Sequence, residues 1–428
     1  MATSGPSLAR VVGVWGAVWM GLGSILGTGA FVSLGIATGV IGSGVVLAAA
    51  LAAVVATANG LSSAQLAAAH PVSGGTYEYG HRLVHPVAGR AAGWMFLAAK
   101  SASAATAALG CAGYLLHTAG LPDDVRTRTA LALAIVLVLT ALVAGGLRRS
   151  STVNVAIVSL TLVALASFVV FGWLNVDPSR LGDRLGTQTV VDAFSAPATL
   201  LHATALVFVA YTGYGRIATL GEEVRRPAWT IPRAIIVTLV LSMVIYVSVA
   251  ATAIAVVGPE RFAASTRDAA APLEVVARTF TQGGVAVLVA VGAITAMAGV
   301  LLNLLLGLSR VLLAMARRRD VPGALDHVSE RTSSPTRAVW TIGGVIGALV
   351  LLGDIETTWS FSAFTVLVYY GLTNLAALRL PASQRRFPRW IAWGGLVSCF
   401  GLAVFVEWPY LVAGVAVLAI AMVARRRA

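Results

Sequence analysis

The sequence predicts an all-α membrane protein of about twelve transmembrane helices, with helices 1 and 6 discontinuous. Three observations lead there. Of 428 residues, 58% are hydrophobic and only 11% charged, whereas soluble domains carry about a quarter charged residues. Apolar runs of about 20 residues, the length that spans a bilayer, recur almost to the last residue and leave no room for a separate soluble domain. Glycine clusters then interrupt two of those runs in mid-span.

The chain is therefore read as one integral membrane domain, residues 1–428, with helices near 11–37, 41–61, 88–118, 128–147, 152–174, 198–221, 231–257, 280–316, 336–352, 358–379, 388–406 and 408–424. The first apolar run is far longer than a signal h-region of about 7–15 residues, so no cleavable signal peptide is expected. Both cysteines, Cys111 and Cys399, lie inside apolar runs and read as small core residues. A formal charge of +13 raises the question of nucleic acid, but the basic residues are scattered between hydrophobic segments and not gathered on one soluble face.

Topology accounts for them. Loops after even-numbered helices hold most of the arginine, including Arg148, Arg149, Arg225, Arg226, Arg317 to Arg319, Arg385 and Arg386, and the tail holds Arg425 to Arg427. By the positive-inside rule those loops and both termini are cytoplasmic, which fits a multi-pass protein of the cell (inner) membrane. The opposite loops hold most acids, among them Asp123, Asp124, Asp177, Glu260 and Asp354. The polar stretch from Ser62 to Gly89 is expected at the cytoplasmic interface.

Helix 1 contains Gly21, Gly23, Gly27 and Gly29 in the run GLGSILGTG, where each glycine costs about 1 kcal/mol relative to alanine in a helix interior. Close packing through small-xxx-small spacing is one reason for such a run, and an unwound segment lining a cavity is the other. Helix 6 favours the second, because FVAYTGYGRIATLGEEVRRP again places glycines, Gly213 and Gly215, in mid-span. Gly27 and Gly213 lie 186 positions apart (213 minus 27), five helices per interval. That separation predicts two inverted repeats, 11–174 (helices 1–5) and 198–379 (helices 6–10), with helices 11–12 at 388–424. Paired gaps in corresponding helices point to a transporter site.

At this point GSILGTGAF in helix 1, the HPVSGGTYEYG loop, YTGYG with EEVRRPAWTIPRAI after it, and SRVLLAMARRRDVP after helix 8 together resemble the amino acid–polyamine–organocation permeases. The resemblance covers helices 1–10 in order. It implies a leucine-transporter-type fold and secondary active transport of amino acids by alternating access, with no cofactor, no metal and no enzymatic activity.

Physically, the half-helix that follows the helix 1 gap presents free N–H groups and a positive dipole end to a carboxylate, supplied by Gly27, Thr28 and Gly29. Carbonyls of Ile25, Val209 and Thr212, beside Gly213, suit a primary ammonium group, so one pocket holds both ends of an α-amino acid. Val209 stands where relatives often carry an aromatic cover, leaving Phe208 or Tyr211 as candidate gates, unless the valine simply repacks the helix. Gly215 followed by Arg216 removes an acid and adds a cation, which favours neutral over cationic substrates.

Coupling is incomplete by family standards. The helix 5 position that holds a lysine in proton-coupled relatives is Thr161, and the helix 8 stretch ITAMAG leaves Thr295 as its only hydroxyl for an ion site. Lys100, the single lysine of the chain, lies about 18 Å along helix 3 at 1.5 Å per residue. An intramembrane lysine can lose its proton when desolvated, so it is the candidate for proton coupling, with snorkelling to the cytoplasmic side as the structural alternative. Arg310 with Glu222 or Glu223 forms a candidate inner gate. Asn154, Asn303, His117 and His202 are expected to make interhelical hydrogen bonds.

The expected partners are thus an amino acid, protons and membrane lipid. An exchanger, a cationic amino acid or polyamine permease, and a non-transporting amino acid sensor remain as alternatives. There is no HExxH, GxSxG or pair of intramembrane aspartates to support an enzyme, and no polar stripe or repeated filter to support a channel.

Overall fold

A computed structural model of the chain describes residues 12–71, 74–147, 151–218, 224–329, 331–332 and 334–423, and helices are the only extended regular structure among them. Helix α1 (Val14–Ile25) is followed by a π-helical turn, Gly29–Ser33, that runs into α2 (Leu34–Ile41). The chain then turns at Gly42, whose φ of 60° lies in the left-handed region open to glycine, and enters α3 (Val45–Ala69). A short α4 (Thr76–Tyr79) and a π turn, Gly80–Val84, precede the long α5 (Pro86–Ala119). Helices α6 (Val125–Ala144) and α7 (Ser151–Leu174) complete the first half.

After the short α8 (Pro178–Leu185) and α9 (Thr187–Ser195) comes α10 (Pro197–Tyr211). A 3-10 turn, Thr212–Tyr214, separates it from α11 (Gly215–Ala218). Then follow α12 (Pro227–Val257), the short α13 (Pro259–Ala269) and α14 (Pro272–Ala277), and α15 (Gly284–Arg317). The last helices are α16 (Thr336–Leu352), α17 (Ile355–Leu378), α18 (Arg389–Val404) and α19 (Trp408–Val423).

Among the described residues, 7 helical segments are long and apolar enough to cross a membrane, or up to 9 if each of two bent pairs counts as one span. Capping agrees with the sequence. Asp124 starts α6 by accepting from the amides of Arg126 and Thr127, and the Thr127 hydroxyl with those amides holds the Asp124 carboxyl below its ordinary range. Asp354 starts α17 in the same way, through the amide of Thr357.

The centre of the bundle is α5 with α17 and α15. The α5 run SASAATAALG is buried all round, because side chains this small let neighbouring backbones approach closely. Helices α6 and α7 instead turn Leu137, Val138, Val163 and Val170 outward, each more than half exposed, a surface suited to hydrocarbon and costly in water.

The helix expected near 41–61 runs further: Ser62 to Ala69 form the last two turns of α3. Ser62, Ser63 and Gln65 are buried there, and the Gln65 side-chain oxygen accepts from the amides of Arg386 and Phe387, so a tertiary partner takes up part of the polarity that had set the helix end at 61. Between α3 and α5 the described chain includes two short turns, Thr76–Tyr79 and Gly80–Val84.

Candidate functional site

Helix α1 stops at Ile25 and the chain passes through Leu26, with extended backbone (φ −78°, ψ 95°), before the helix restarts at Thr28 and Gly29. The break spans little more than one turn, yet it leaves the first amides of the new helix and the last carbonyls of the old one without intrahelical partners. The second interruption, at Thr212–Tyr214, lies against the first. A Cβ at Gly213 would strike the Ser24 carbonyl oxygen and come within 2.5 Å of its carbon. A Cβ at Gly29 would lie 2.7 Å from both the Ala210 Cβ and the Tyr246 hydroxyl. The glycines thus serve the contact between the two breaks, a closer approach than any larger residue permits.

A cavity with about 370 Å³ of free space sits at this contact. Six of the nine expected binding residues line it: Ile25, Thr28, Gly29, Val209, Thr212 and Gly213. Gly27 faces Val300 and the Ala296 carbonyl of α15 instead. Phe208 and Tyr211 are fully buried and turn away from the cavity. Phe208 packs edge-on against Tyr370, and the Tyr211 hydroxyl donates to the Ala49 carbonyl at 3.1 Å. Trp359 is the aromatic residue on the cavity wall, its indole N–H tied to the Leu206 carbonyl at 2.9 Å.

The exposed carbonyls of the breaks are held by tyrosines. Tyr246 of α12 donates to Ile25 O at 2.8 Å and lies 3.2 Å from Ala210 O, and Tyr370 of α17 donates to Thr212 O at 3.0 Å. The Ile25 carbonyl keeps a second lone pair for a ligand, whereas Thr212 O also accepts from the Gly215 amide. The Thr28 hydroxyl is 4% exposed and has no partner, so a donor is free where the restarted helix begins. Removing the Tyr246 hydroxyl takes away the donor that holds the Ile25 carbonyl at the break. Tyr246→Phe is expected to lower stability by about 1–3 kcal/mol in thermal unfolding of the detergent-solubilised protein, and a change below about 0.5 kcal/mol would mean that other groups satisfy that carbonyl.

Lys100 does not snorkel. Its side chain is 9% exposed and its Nζ donates to Thr212 Oγ1 at 2.7 Å, while Thr212 Oγ1 in turn donates to Val209 O at 2.7 Å. The lysine therefore ties helix α5 to the second break. It also lines a wider cavity, about 1140 Å³ of free space continuous with open solvent, that shares Ser24, Lys100, Thr212 and Gly213 with the smaller one. Asn303, Arg216 and Arg310 line the wider cavity as well.

Of the other expected positions, Thr161 bonds back to Ile157 O at 2.8 Å and Thr295 to Val291 O at 2.8 Å, and neither lines these cavities. Asn154 reaches Trp19 O at 3.0 Å and Asn303 reaches Gly23 O at 3.5 Å, interhelical bonds as expected. Glu222 and Glu223, the acids of the expected inner gate, lie outside the described residues, whereas Arg310 is exposed at the wider cavity.

A different polar cluster stands beside that cavity. Tyr77 donates to Asp320 Oδ2 at 2.6 Å, His81 Nε2 lies 3.4 Å from the same oxygen, and Glu78 Oε2 accepts from Arg318 at 2.6 Å. This joins the GGTYEYG loop to the MARRRDVP end of α15. Sequence reasoning used both motifs for the resemblance and did not pair them. It also missed Tyr246, Tyr370 and Trp359, although a phenol or indole in mid-span that must find a hydrogen-bond partner was the available signal.

A cavity between two broken helices, inside an apolar helical bundle and beside a buried lysine, fits a multi-pass membrane transport protein. The sequence comparisons agree and narrow it. Residues 16–425 match the family model for amino acid permeases, and the chain belongs to that family, within the amino acid–polyamine–organocation superfamily. It is similar to an uncharacterized transporter of Mycobacterium tuberculosis, 41% identical over 97% of this chain and 91% of the relative. It is also similar to a branched-chain amino acid permease of Bacillus subtilis, 29% identical over 64% of this chain and 56% of the relative. Mouse cationic amino acid transporter 4 is 30% identical over 58% of this chain and 38% of that protein.

Proposed function

We propose that the chain is a secondary active carrier that takes α-amino acids across the cell membrane by alternating access, with cationic side chains disfavoured. The observation that carries it is the meeting of the two helix breaks at one cavity, with the first amides of the restarted helix and the partnerless Thr28 hydroxyl on one side and the Ile25 carbonyl on the other. The first set suits a carboxylate and the second an ammonium. Against a cationic substrate stands the wall itself: the charged side chains that line the wider cavity, among the described residues, are Lys100, Arg216 and Arg310.

The full architecture belongs to the same proposal. Twelve spans with both termini cytoplasmic, helices 1–5 and 6–10 forming an inverted pair, are supported by the matched interruptions at Leu26–Gly27 and Thr212–Tyr214. Proton coupling through Lys100 is supported by its burial and by its bond to Thr212, since gain or loss of one proton would make or weaken the tie between α5 and the second break.

Purified protein in liposomes tests this reading. Unlabelled amino acid inside should drive accumulation of labelled amino acid, and an inward acid gradient should raise the initial rate. Binding without counterflow would make the protein a sensor. Lys100→Met is expected to remove the effect of the pH gradient, and a mutant that keeps the wild-type dependence would rule out the lysine as the coupling group.

A further inference from the structure

The amides and the Thr28 hydroxyl of the restarted helix account for one carboxylate, and Lys100 remains. Its ammonium has three N–H donors. Among the described residues its one hydrogen-bond partner is Thr212 Oγ1, and none of the ion pairs includes it. Because Thr212 Oγ1 passes its own proton to Val209 O, that hydroxyl accepts from the lysine and has no proton to offer a carboxylate. Two donors and a full charge are left at 9% exposure, where an uncompensated ion is costly by several kcal/mol.

The charge faces both cavities. Arg216 and Arg310 line the wider one beside it, and no carboxylate lines either among the described residues. A neutral side chain seated here would leave the cation as it stands, and a cationic one would oppose it. An anionic side chain would supply the missing counter-ion. Charge-assisted bonds between ammonium and carboxylate are roughly twice as strong as neutral ones, and water-poor surroundings strengthen them further.

We infer that Lys100 is the receptor for a second carboxylate and that the preferred solute is an acidic α-amino acid, its α-carboxylate on the Thr28 and Gly29 amides and its side-chain carboxylate on the lysine. This rests on the reading of the helix breaks as an α-amino acid cradle and narrows the class of substrate that the cradle takes. Lys100 is then a specificity-determining residue as well as the candidate coupling group, and the substrate that reaches it brings the negative charge which the described walls lack.

The test is thermal-shift and competition binding of the purified wild-type protein with L-glutamate, L-aspartate, L-leucine and L-arginine, repeated on Lys100→Gln and Lys100→Arg. A ligand that binds only the folded protein raises its apparent stability. At least one acidic amino acid should bind more tightly than leucine, and arginine should bind least. Lys100→Gln should lower the affinity for the acidic ligand relative to leucine by about tenfold or more, and Lys100→Arg should keep part of the acidic preference. Leucine binding more tightly than both acids, or unchanged acid binding in Lys100→Gln, would overturn the inference and leave the cradle standing. Binding of none of the four would remove the cradle and the inference together. The wild-type ranking does not depend on any variant folding.

Discussion

Gly213→Ala is expected to slow transport by about tenfold or more while the protein still inserts and purifies. The added methyl would strike the Ser24 carbonyl oxygen, with that carbon at 2.5 Å and Ile25 Cγ1 at 2.6 Å. Two of these three atoms are backbone, so no side-chain rotation relieves the clash and the breaks in α1 and α10 must separate. Overpacking of this kind costs about 1–3 kcal/mol, and the shift falls on groups that line the cavity, Ser24, Ile25 and Gly213. Initial uptake rates in liposomes, normalised to monodisperse protein, decide the matter; a near wild-type rate would show that the breaks need not touch. Gly215→Ala makes a control two residues away, since its Cβ would meet only the Tyr370 hydroxyl, at 3.0 Å, a contact a small rotation can ease.

Tyr77→Phe and Asp320→Asn should each destabilise the protein by about 1–3 kcal/mol, and the double mutant by clearly less than their sum. Asp320 is 9% exposed and accepts from Tyr77 at 2.6 Å, with His81 at 3.4 Å. Loss of the phenol leaves a buried carboxylate with one partner fewer, and neutralising the aspartate replaces the charged acceptor of the phenol with a weaker amide oxygen. The Glu78–Arg318 bond at 2.6 Å contributes less, because Arg318 is 40% exposed and water screens it. Thermal unfolding of the four proteins gives the coupling energy; strict additivity would mean that Tyr77 and Asp320 act independently.

These two predictions mark the boundary of what the sequence made legible. The helix breaks were readable because glycine in mid-span is costly and recurred five helices later, and six of the nine binding positions named from that pattern line one cavity. Burial of Lys100 followed from its depth along α5. Side-chain direction did not follow, so Phe208 and Tyr211 were named as gates although they point into the bundle, and the cavity wall at Trp359 went unnamed. The second helix was ended near 61, eight residues short of Ala69, because the polarity of Ser62 to Ala69 signals exposure when no partner is known. The Tyr77–Asp320 contact joins positions 243 apart, a distance no local pattern bridges.

The tyrosines that hold the broken backbone have one more consequence. A carrier that moves solute one way must also make its return stroke unladen, with the break still inside the bilayer and no ammonium there to occupy Ile25 O. In the structure the Tyr246 hydroxyl sits on Ile25 O and near Ala210 O, and Tyr370 on Thr212 O. Donors built into the fold in this way would serve the broken backbone on an unladen stroke, so that such a stroke need not carry a bare carbonyl through the bilayer.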